Sequence, residues 1–558
     1  MINQKKLESA IYSILNDRKK GYFVYLMTAA LFFGSIALLP LEIVKAKMLP
    51  GKDSDSFSIY IDLPQGSAKA KTAEVSTCIA NELKLLPEVT SVSTFLGEGQ
   101  PLDFAGMVKM SVLKSSEHEA EMMINLERST HRDIRSYNLI SKIRQPIQKK
   151  CSLYDANIKF VELPAGPPVL ASIVAEIYGG NSFESQRNFA YKVSDVFKKL
   201  PKLVDVDVLA DEQTKEFKIM LDTNKVLLSG VGLDQVKQVL YASFEGMVIS
   251  AVNEKNSEDQ IPIFIRLDDS RKFDSKTPEA IEAKLASLKL MNKFGMLSPM
   301  SEFTKVVEVT KDPQLTSKNL NKMTNVIAET DLESQIYPLL DARNIMLSEF
   351  TKDYEVKKIN LLNLEFTDKK TGEVFKLVWD GELKVTIDTF IDLGGAFIGA
   401  LVLIFLLMVV YYKNFALAGG IVLASFLSLF GVIFGHLFMD LGTHDAFYLT
   451  ATSLIGYIGL IGINSRNSLL IIDFAKQLMI EKNMDAKKAI SVATATRAKP
   501  ILLTVLAIVF ASSLLATDAV FGGLGVALIG GTIAAYFVSL FFVPLTIVGP
   551  LSNLKNKN

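Results

Sequence analysis

Residues 459–479, GLIGINSRNSLLIIDFAKQLM, place a cation, amides and hydroxyls inside an otherwise apolar run. Arg466 and Asn467 stand at its centre. A charge held at membrane depth is costly and usually faces a bundle interior or a wet cavity, where it can take part in moving ions or protons. The plainer reading is an arginine near the cytoplasmic end whose stem carries its head to the interface. Asp473 follows seven residues later, on the same helical face two turns down. Its spacing suits a member of the site and a helix exit equally. In TRAKPILLTVLAIVF (496–510), Arg497 and Lys499 read most simply as positive-inside anchors. Thr504, one turn after Pro500, has a plain role in satisfying backbone freed by the proline.

Other chemistry is thinly represented. The histidines are His118, His131, His436 and His444, and no zinc spacing, Walker loop or dinucleotide fingerprint appears. A histidine-built metal or hydrolytic site is therefore not expected, nor is a cofactor, and an enzyme is the least favoured class. Met107, Met110, Met122 and Met123 invite a copper or silver reading, since thioethers suit soft metals. Flexible methionine is more often core filler. Cys78 and Cys151 cannot make a disulfide framework. They could pair if both lie outside the cytoplasm, but the preferred reading is two separate small buried hydrophobes.

The elements that must position these residues are membrane spans. The chain has 558 residues, zero formal net charge, 49% hydrophobic and 22% charged residues, a balance that suits a membrane domain joined to a sizeable water-facing one. Neutral charge gives no reason to expect nucleic-acid binding. A bilayer core needs roughly 20 apolar residues in a helix. Residues 22–41 qualify, preceded by Arg18, Lys19 and Lys20; with no small-residue cleavage site they read as an uncleaved span. The remaining runs cluster at 390–411, 415–439, 447–472, 500–517 and 523–548, making six. Gly522, Gly523, Gly525, Gly530 and Gly531 in the last are read as helix packing. Basic residues crowd before the first run, at Lys413, through 476–499 and at Lys555 and Lys557, whereas 440–446 and the turn near 517–523 carry no Lys or Arg. The positive-inside rule then places both termini in the cytoplasm and residues 43–385 outside it.

In that external stretch Phe57, Ile59, Ile61 and Leu63 alternate as on a strand. A helix follows with Val75, Ile79, Leu83 and Leu86 on one face, and LPEVTSVSTF (86–95) reads as a second strand. The order recurs: SIVAEIY (172–178), a helix with Phe189, Val193, Val196 and Leu200, then LPKLVDVDVL (200–209). The repeat reads as a duplicated βαβ unit with LPAGPP (163–168) as linker. Short strands and a helix near 232–243 give 213–315 the look of an insertion, and 316–385 returns to the duplicated domain. The fold class expected is an α+β membrane protein: 1–21 cytoplasmic, 22–42 a span, 43–212 and 316–385 duplicated ferredoxin-like βαβ subdomains, 386–550 five spans, and 551–558 a cytoplasmic tail.

GINSRNSLLIIDFAK followed by RAKPILLT resembles the C-terminal half of resistance-nodulation-division (RND) efflux permeases of the multidrug type. In that family a Lys or Arg followed by Asn lies in the tenth helix, and an R-x-[RK]-P-I-L-x-T segment opens the eleventh. GPPVLASIVAEIYGG (166–180) resembles the start of a porter subdomain, and 213–315 a docking insertion. The resemblance implies a secondary transporter driven by proton antiport. Arg466 would replace the relay cation, usually Lys, with Asn467 and Thr504 as polar neighbours, Arg497 lining the proton path and Asp473 near it. It further implies an inner-membrane location with a periplasmic domain, a trimer, a periplasmic adaptor, an outer-membrane channel and a small-molecule substrate. Arginine stays charged, so protons would be exchanged on carboxylates whose pKa Arg466 lowers. Family members are about twice this length and keep their relay aspartates in the N-terminal half. Here Asp388 and Asp392 are expected at a helix mouth, Asp440, Asp445 and Asp518 at external ends, and none at mid-membrane. The expectation is a half-length subunit, or a truncated product, with Arg466 in a bundle interior whose counter-charge comes from a complementary N-terminal-half subunit. Two alternatives remain. A Sec-type protein-export accessory subunit shares the topology but places an acid where this chain has Arg466, and a heavy-metal exporter would use the methionines.

Overall fold

Apolar and charged residues segregate along the chain: in the computed structural model the apolar runs form long helices and the alternating segments form sheets. The structure describes residues 4–163, 166, 168–268, 277–443 and 447–555. Pro164, Ala165 and Pro167 of the linker, His444, Asp445 and Lys557 lie outside them.

Helix α1 (Gln4–Asn16) buries Ile11 and Leu15, and its polar side carries a Glu8–Lys488 ion pair of 2.6 Å. Asp17 breaks the helix and caps α2 (Arg18–Ala37) by accepting from the Lys19 N–H. The first apolar helix therefore starts and ends earlier than the expected 22–41.

The first extramembrane lobe comprises β1 (Ser56–Asp62), α3 (Lys69–Leu83), β2 (Val89–Leu96), β3 (Glu119–Leu126), α4 (Ser136–Cys151) and β4 (Asn157–Val161). Its strands are antiparallel in the order β2-β3-β1-β4, so β3 separates the two strands that enclose α3. Phe57, Ile59, Ile61 and Leu63 are buried beneath Val75, Ile79 and Leu83 of α3. Cys78 and Cys151 are joined in a disulfide between α3 and α4. This corrects the reading of two separate buried hydrophobes: antiparallel packing of the two helices on one sheet brings residues 73 apart in sequence within bonding range.

The second lobe repeats the plan with β5 (Ile173–Gly179), α5 (Phe183–Lys198), β6 (Leu203–Leu209), β7 (Asn321–Thr330), α6 (Ile336–Glu349) and β8 (Val374–Asp380). A Ser182/Ser185 capping box starts α5. The order β6-β7-β5-β8 matches that of the first lobe, and strands Leu364–Asp368 and Tyr354–Lys358 extend it beyond β8. Its separate core centres on Phe189, stacked 4.5 Å from Phe375.

Residues Asp211–Gln314 form a compact unit of their own. Within it, strands Lys215–Leu221 and Thr304–Thr310 pair, and Val226, Val236, Leu285, Leu290 and Met300 make a small core.

Among the described residues six helices are long and apolar enough to cross a membrane. They are α2; α7 (Glu382–Tyr412); Phe415–Gly442, divided at Ser428 into α8 (Phe415–Leu427) and α9 (Leu429–Gly442); α10 (Ala451–Glu481); α11 (Ala486–Leu515); and Gly522–Asn553. The last contains α12 (Gly522–Phe537), a π-turn at Val538–Phe542, and α13 (Val543–Lys555). Pro544 explains the π-turn. It has no N–H for the Leu540 carbonyl and its ring would collide with it, and beside it the Val543 N–H reaches back five residues to Val538 O. A Cβ on Gly431 of α9 would overlap Ala534 Cβ and the Gly530 carbonyl of α12, so glycine sets how closely those helices approach.

Several expected span limits change. Helix α7 begins at Glu382, so Asp388 and Asp392, expected at a helix mouth, lie near its N-terminal end. Helices α10 and α11 together leave only 482–485 of the basic stretch 476–499 outside helix, and Pro500 falls in mid-helix.

Candidate functional site

Helix α10 carries the polar residues of the membrane block, and its 100° per residue decides which can meet. Arg466 and Asp473 fall about 20° apart around the axis, whereas Asn467 is turned about 100° from Arg466. Arg466 is exposed, on a stripe with Ile455, Gly459, Gly462 and Ile480. A Cβ on Gly459 or Gly462 would touch nothing within 4 Å. No described carboxylate lies within ion-pair distance of Arg466. Within this chain Arg466 stands on the outer face of α10, and the inner face is filled by Leu460, Asn464, Asn467 and Ile471; the interior expected for Arg466 is one shared with a complementary half.

Asp473 is already engaged. Tyr411 and Tyr412, in the last turn of α7, donate to its Oδ2 and Oδ1 at 3.2 and 3.0 Å, and Lys476 Nζ lies 4.6 Å from the Tyr412 ring centre. The aspartate thus ties α10 to α7. Arg497 lies 5.1 Å from the Phe474 ring centre, with its Nε buried and unpartnered. Thr504 donates to Pro500 O at 3.2 Å. The carbonyl that a proline at 500 frees is that of Thr496, so Thr504 does not perform the backbone repair expected of it. Of the five residues singled out, Arg466 and Asp473 share a stripe, Asn467 turns inward, and Arg497 and Thr504 stand on α11.

Sequence reasoning passed over the polar interior of α10. Asn464, Ser465 and Ser468 are buried beside the expected Asn467, and Ser465 Oγ lies 3.4 Å from Ser425 Oγ of α8. Both amide atoms of Asn464, Nδ2 of Asn467 and Oγ of Ser468 have no hydrogen-bond partner among the described residues. Leu460 sits over Gly531 of α12, and the Tyr457 hydroxyl donates to Phe426 O at 2.7 Å. The inner face thus points into the groove between α8 and α12, against which the π-turn also packs. Pro544 was the signal for that irregularity.

His436 of α9 was also passed over. It is buried, with Nδ1 2.8 Å from Val432 O and Nε2 2.8 Å from Ser453 Oγ. Ser453 and Thr450 form a capping box at the start of α10, and Thr452 donates to Val520 O at 3.2 Å. Outside the membrane block, Met122 lies in the first lobe's core while Met107 and Met110 are exposed, so these thioethers do not converge. Among the described residues no group of three or more His, Cys, Asp or Glu could hold a metal.

Comparison with known proteins fits this architecture. The profile of the AcrB/AcrD/AcrF family matches residues 2–548. The multidrug export protein AcrF of Escherichia coli (strain K12) is 22% identical over 543 residues, covering 94% of this chain and 47% of AcrF. The solvent-resistant pump membrane transporter SrpB of Pseudomonas putida is 21% identical over 562 residues, covering 98% of this chain and 48% of SrpB. A crystal structure of a heavy metal efflux pump superposes with a TM-score of 0.70 at 16% identity, over 98% of this chain and 52% of that one. The chain thus spans about half the length of the relatives it matches. The match runs through both lobes, the inserted unit and all six apolar helices, and on that ground the chain belongs to the AcrB/AcrD/AcrF family of RND proteins.

Proposed function

We propose that this chain forms one six-helix half of a proton-driven efflux transporter of the bacterial inner membrane, exporting small molecules. The observation that carries the reading is Arg466. It is a permanent cation on an outward, apolar, glycine-bearing stripe, with no described carboxylate in reach. A charge so placed in a bilayer is expensive unless paired. Its partner is one or two Asp or Glu residues on a facing helix of a complementary half, whether that half is a separate polypeptide or continues this one. Those acids alternate between ion-paired and protonated states, and the alternation biases the extramembrane lobes between access states. Asn467 braces α10 from inside, Arg497 and Thr504 line the approach on α11, and Asp473 fixes α10 against α7. The disulfide supports an oxidising, periplasmic location for the first lobe. By family likeness three such units assemble with a periplasmic adaptor and an outer-membrane channel. Membership of this family replaces the protein-export alternative.

The test is proton flux. The chain is reconstituted with its complementary half in vesicles holding a pH-sensitive dye, and a pH gradient is imposed. The native pair should release protons when a transported dye is added, and Arg466→Met should abolish that release. Unchanged proton release by Arg466→Met would mean that Arg466 is an interfacial anchor.

A further inference from the structure

The two lobes meet at two sheet edges. β4 is the edge strand of the first lobe and β6 that of the second, and they lie against each other. Facing edges could fuse into one continuous sheet, and charged side chains pointing into the junction prevent this. Lys159 of β4 and Asp205 and Asp207 of β6 supply those charges. Lys159 pairs with Asp207 across the junction and with Asp62 Oδ2 at 2.6 Å within its own lobe. The hydrophobic clusters of the two lobes are separate, so the junction is a polar one that can part and re-form.

Its contacts differ in depth. Asp205 pairs with Arg144 of α4, accepts from Gln148 Nε2 at 2.8 Å, and accepts from the Phe160 N–H at 2.9 Å. The last bond satisfies an outward backbone donor of the β4 edge. Both members of the central ion pair are closed off, at 2% exposure for Arg144 and 1% for Asp205. Asp205 has φ of +52°, a left-handed conformation rare outside glycine. Across from it, β7 shifts register between Ile327 and Glu329. Local strain of this kind persists only where its surroundings over-determine it. The outer contacts are wetter. Lys109 pairs with Glu329 at 2.9 Å, where the glutamate is 24% exposed, and Asp207 is 23% exposed. Ser141 donates to Asp331 Oδ2 at 2.9 Å. Water can replace these bonds as they break, whereas parting Arg144 from Asp205 strands a buried charge.

We propose that Asp205 is the pivot on which the two lobes turn: Lys109–Glu329 and Lys159–Asp207 are the contacts made and broken, while the Asp205 contacts to Arg144, Gln148 and the Phe160 amide persist. The lobes are tethered to different membrane helices, the first to α2 through residues 38–55 and the second to α7 through Gly381. Rotation about Asp205 opens the cavity lined by Lys47, Lys109, Glu162, Glu329 and Glu382, and changes the angle between those tethers. The proposal rests on the transporter reading for its purpose but not for its test.

The native cysteines are joined to each other, so spin labels on introduced cysteines at the exposed positions Leu85 and Leu361 report the lobe separation in the purified chain. Hydrogen exchange at the Phe160 amide reports the pivot. The double variant Lys109→Met/Lys159→Met should broaden the label distance distribution by about 5 Å while Phe160 exchange stays within about twofold of native. Arg144→Met/Asp205→Asn removes both buried charges together, so that neither is stranded. It should raise Phe160 exchange by about tenfold or more. If Phe160 exchange rises with the first variant as much as with the second, the junction opens as a whole and no pivot exists. If the first variant leaves the distances unchanged, the outer contacts do not govern opening. Neither readout involves transport, so a failed pivot and a failed transporter assignment give different results.

Discussion

Arg466 and Asn467 are neighbours in sequence but serve different surfaces: Arg466 is exposed on the outer stripe of α10, and Asn467 is 2% exposed in the groove toward α8 and α12. The adjacent pair therefore has two jobs. The cation is offered to whatever lies beside the bundle, and the amide belongs to the bundle itself.

This division predicts opposite responses in the isolated chain. Asn467→Ala removes packing from a buried position and should lower the thermal unfolding midpoint in detergent, at a cost of about 1–2 kcal/mol. Arg466→Ala should leave that midpoint within a degree or two, since no described residue of the chain pairs with it. Arg466→Lys should retain part of the transport activity of the assembled pump, because the charge survives without the planar fork of donors. A large destabilisation by Arg466→Ala in the isolated chain would place the arginine inside the bundle after all.

The disulfide makes a second prediction. Joining Cys78 to Cys151 closes a long loop, and replacing both by serine should destabilise the first lobe by roughly 2–5 kcal/mol. Thiol labelling of denatured, unreduced protein should find no free cysteine. A cysteine introduced at Lys482–Asp485, the only non-helical part of the basic stretch, should resist membrane-impermeant reagents in intact cells, whereas one at Leu85 should react. Labelling at the former would invert the topology.

The helix contact at Gly431 gives a third. Gly431→Ala places a methyl group against Ala534 Cβ and the Gly530 carbonyl, so α9 and α12 must move apart. The cost should be about 1–3 kcal/mol. Gly459→Ala, whose Cβ meets nothing, should be neutral in the same thermal assay of this chain. Equal effects from the two substitutions would mean that helix propensity, not packing, decides the outcome.

Elements with a strong period were legible in the sequence. The alternation at Phe57, Ile59, Ile61 and Leu63 is a central strand, and the six apolar runs are helices. What escaped depends on contacts distant along the chain. Nothing local to Cys78 or Cys151 says that α3 and α4 pack side by side. Nothing near Asp205 says that its strand is an edge facing another edge. The outward turn of Arg466 follows from a helical wheel only once Leu460 is known to sit over Gly531. Helix limits failed for a different reason. Hydropathy marks where a bilayer core begins, and α7, α10 and α11 continue past it through Glu382, Lys476 and Lys487. The apolar run beginning at Pro500 is likewise only part of α11, in which Pro500 stands in mid-helix.

The final prediction concerns pH and Glu162, just beyond β4. Its carboxyl is pushed up to about 7, first by burial, with Arg144 and Lys47 opposing and Glu329 and Asp331 adding to the rise. Arg144 Nη2 stands 3.7 Å away, too far for a hydrogen bond that would hold the charged form. A group whose pKa is higher in the folded state binds its proton more tightly there. Its contribution to stability is therefore complete below the ordinary value of 4.5 and is lost as pH rises through about 7. The native extramembrane lobes should accordingly lose stability between pH 4.5 and 7 in a phase that Glu162→Gln removes. Because the side chain is 34% exposed where it lines the cavity, solvent screens much of the effect, and the gain from Glu162→Gln at pH 8 should be roughly 1 kcal/mol. Paired thermal unfolding curves at pH 5 and pH 8 check it: the variant and native proteins should coincide at pH 5 and separate at pH 8. A native protein more stable than the variant at pH 8 would mean that Glu162 is held ionised by Arg144, and that the ion pair outweighs burial.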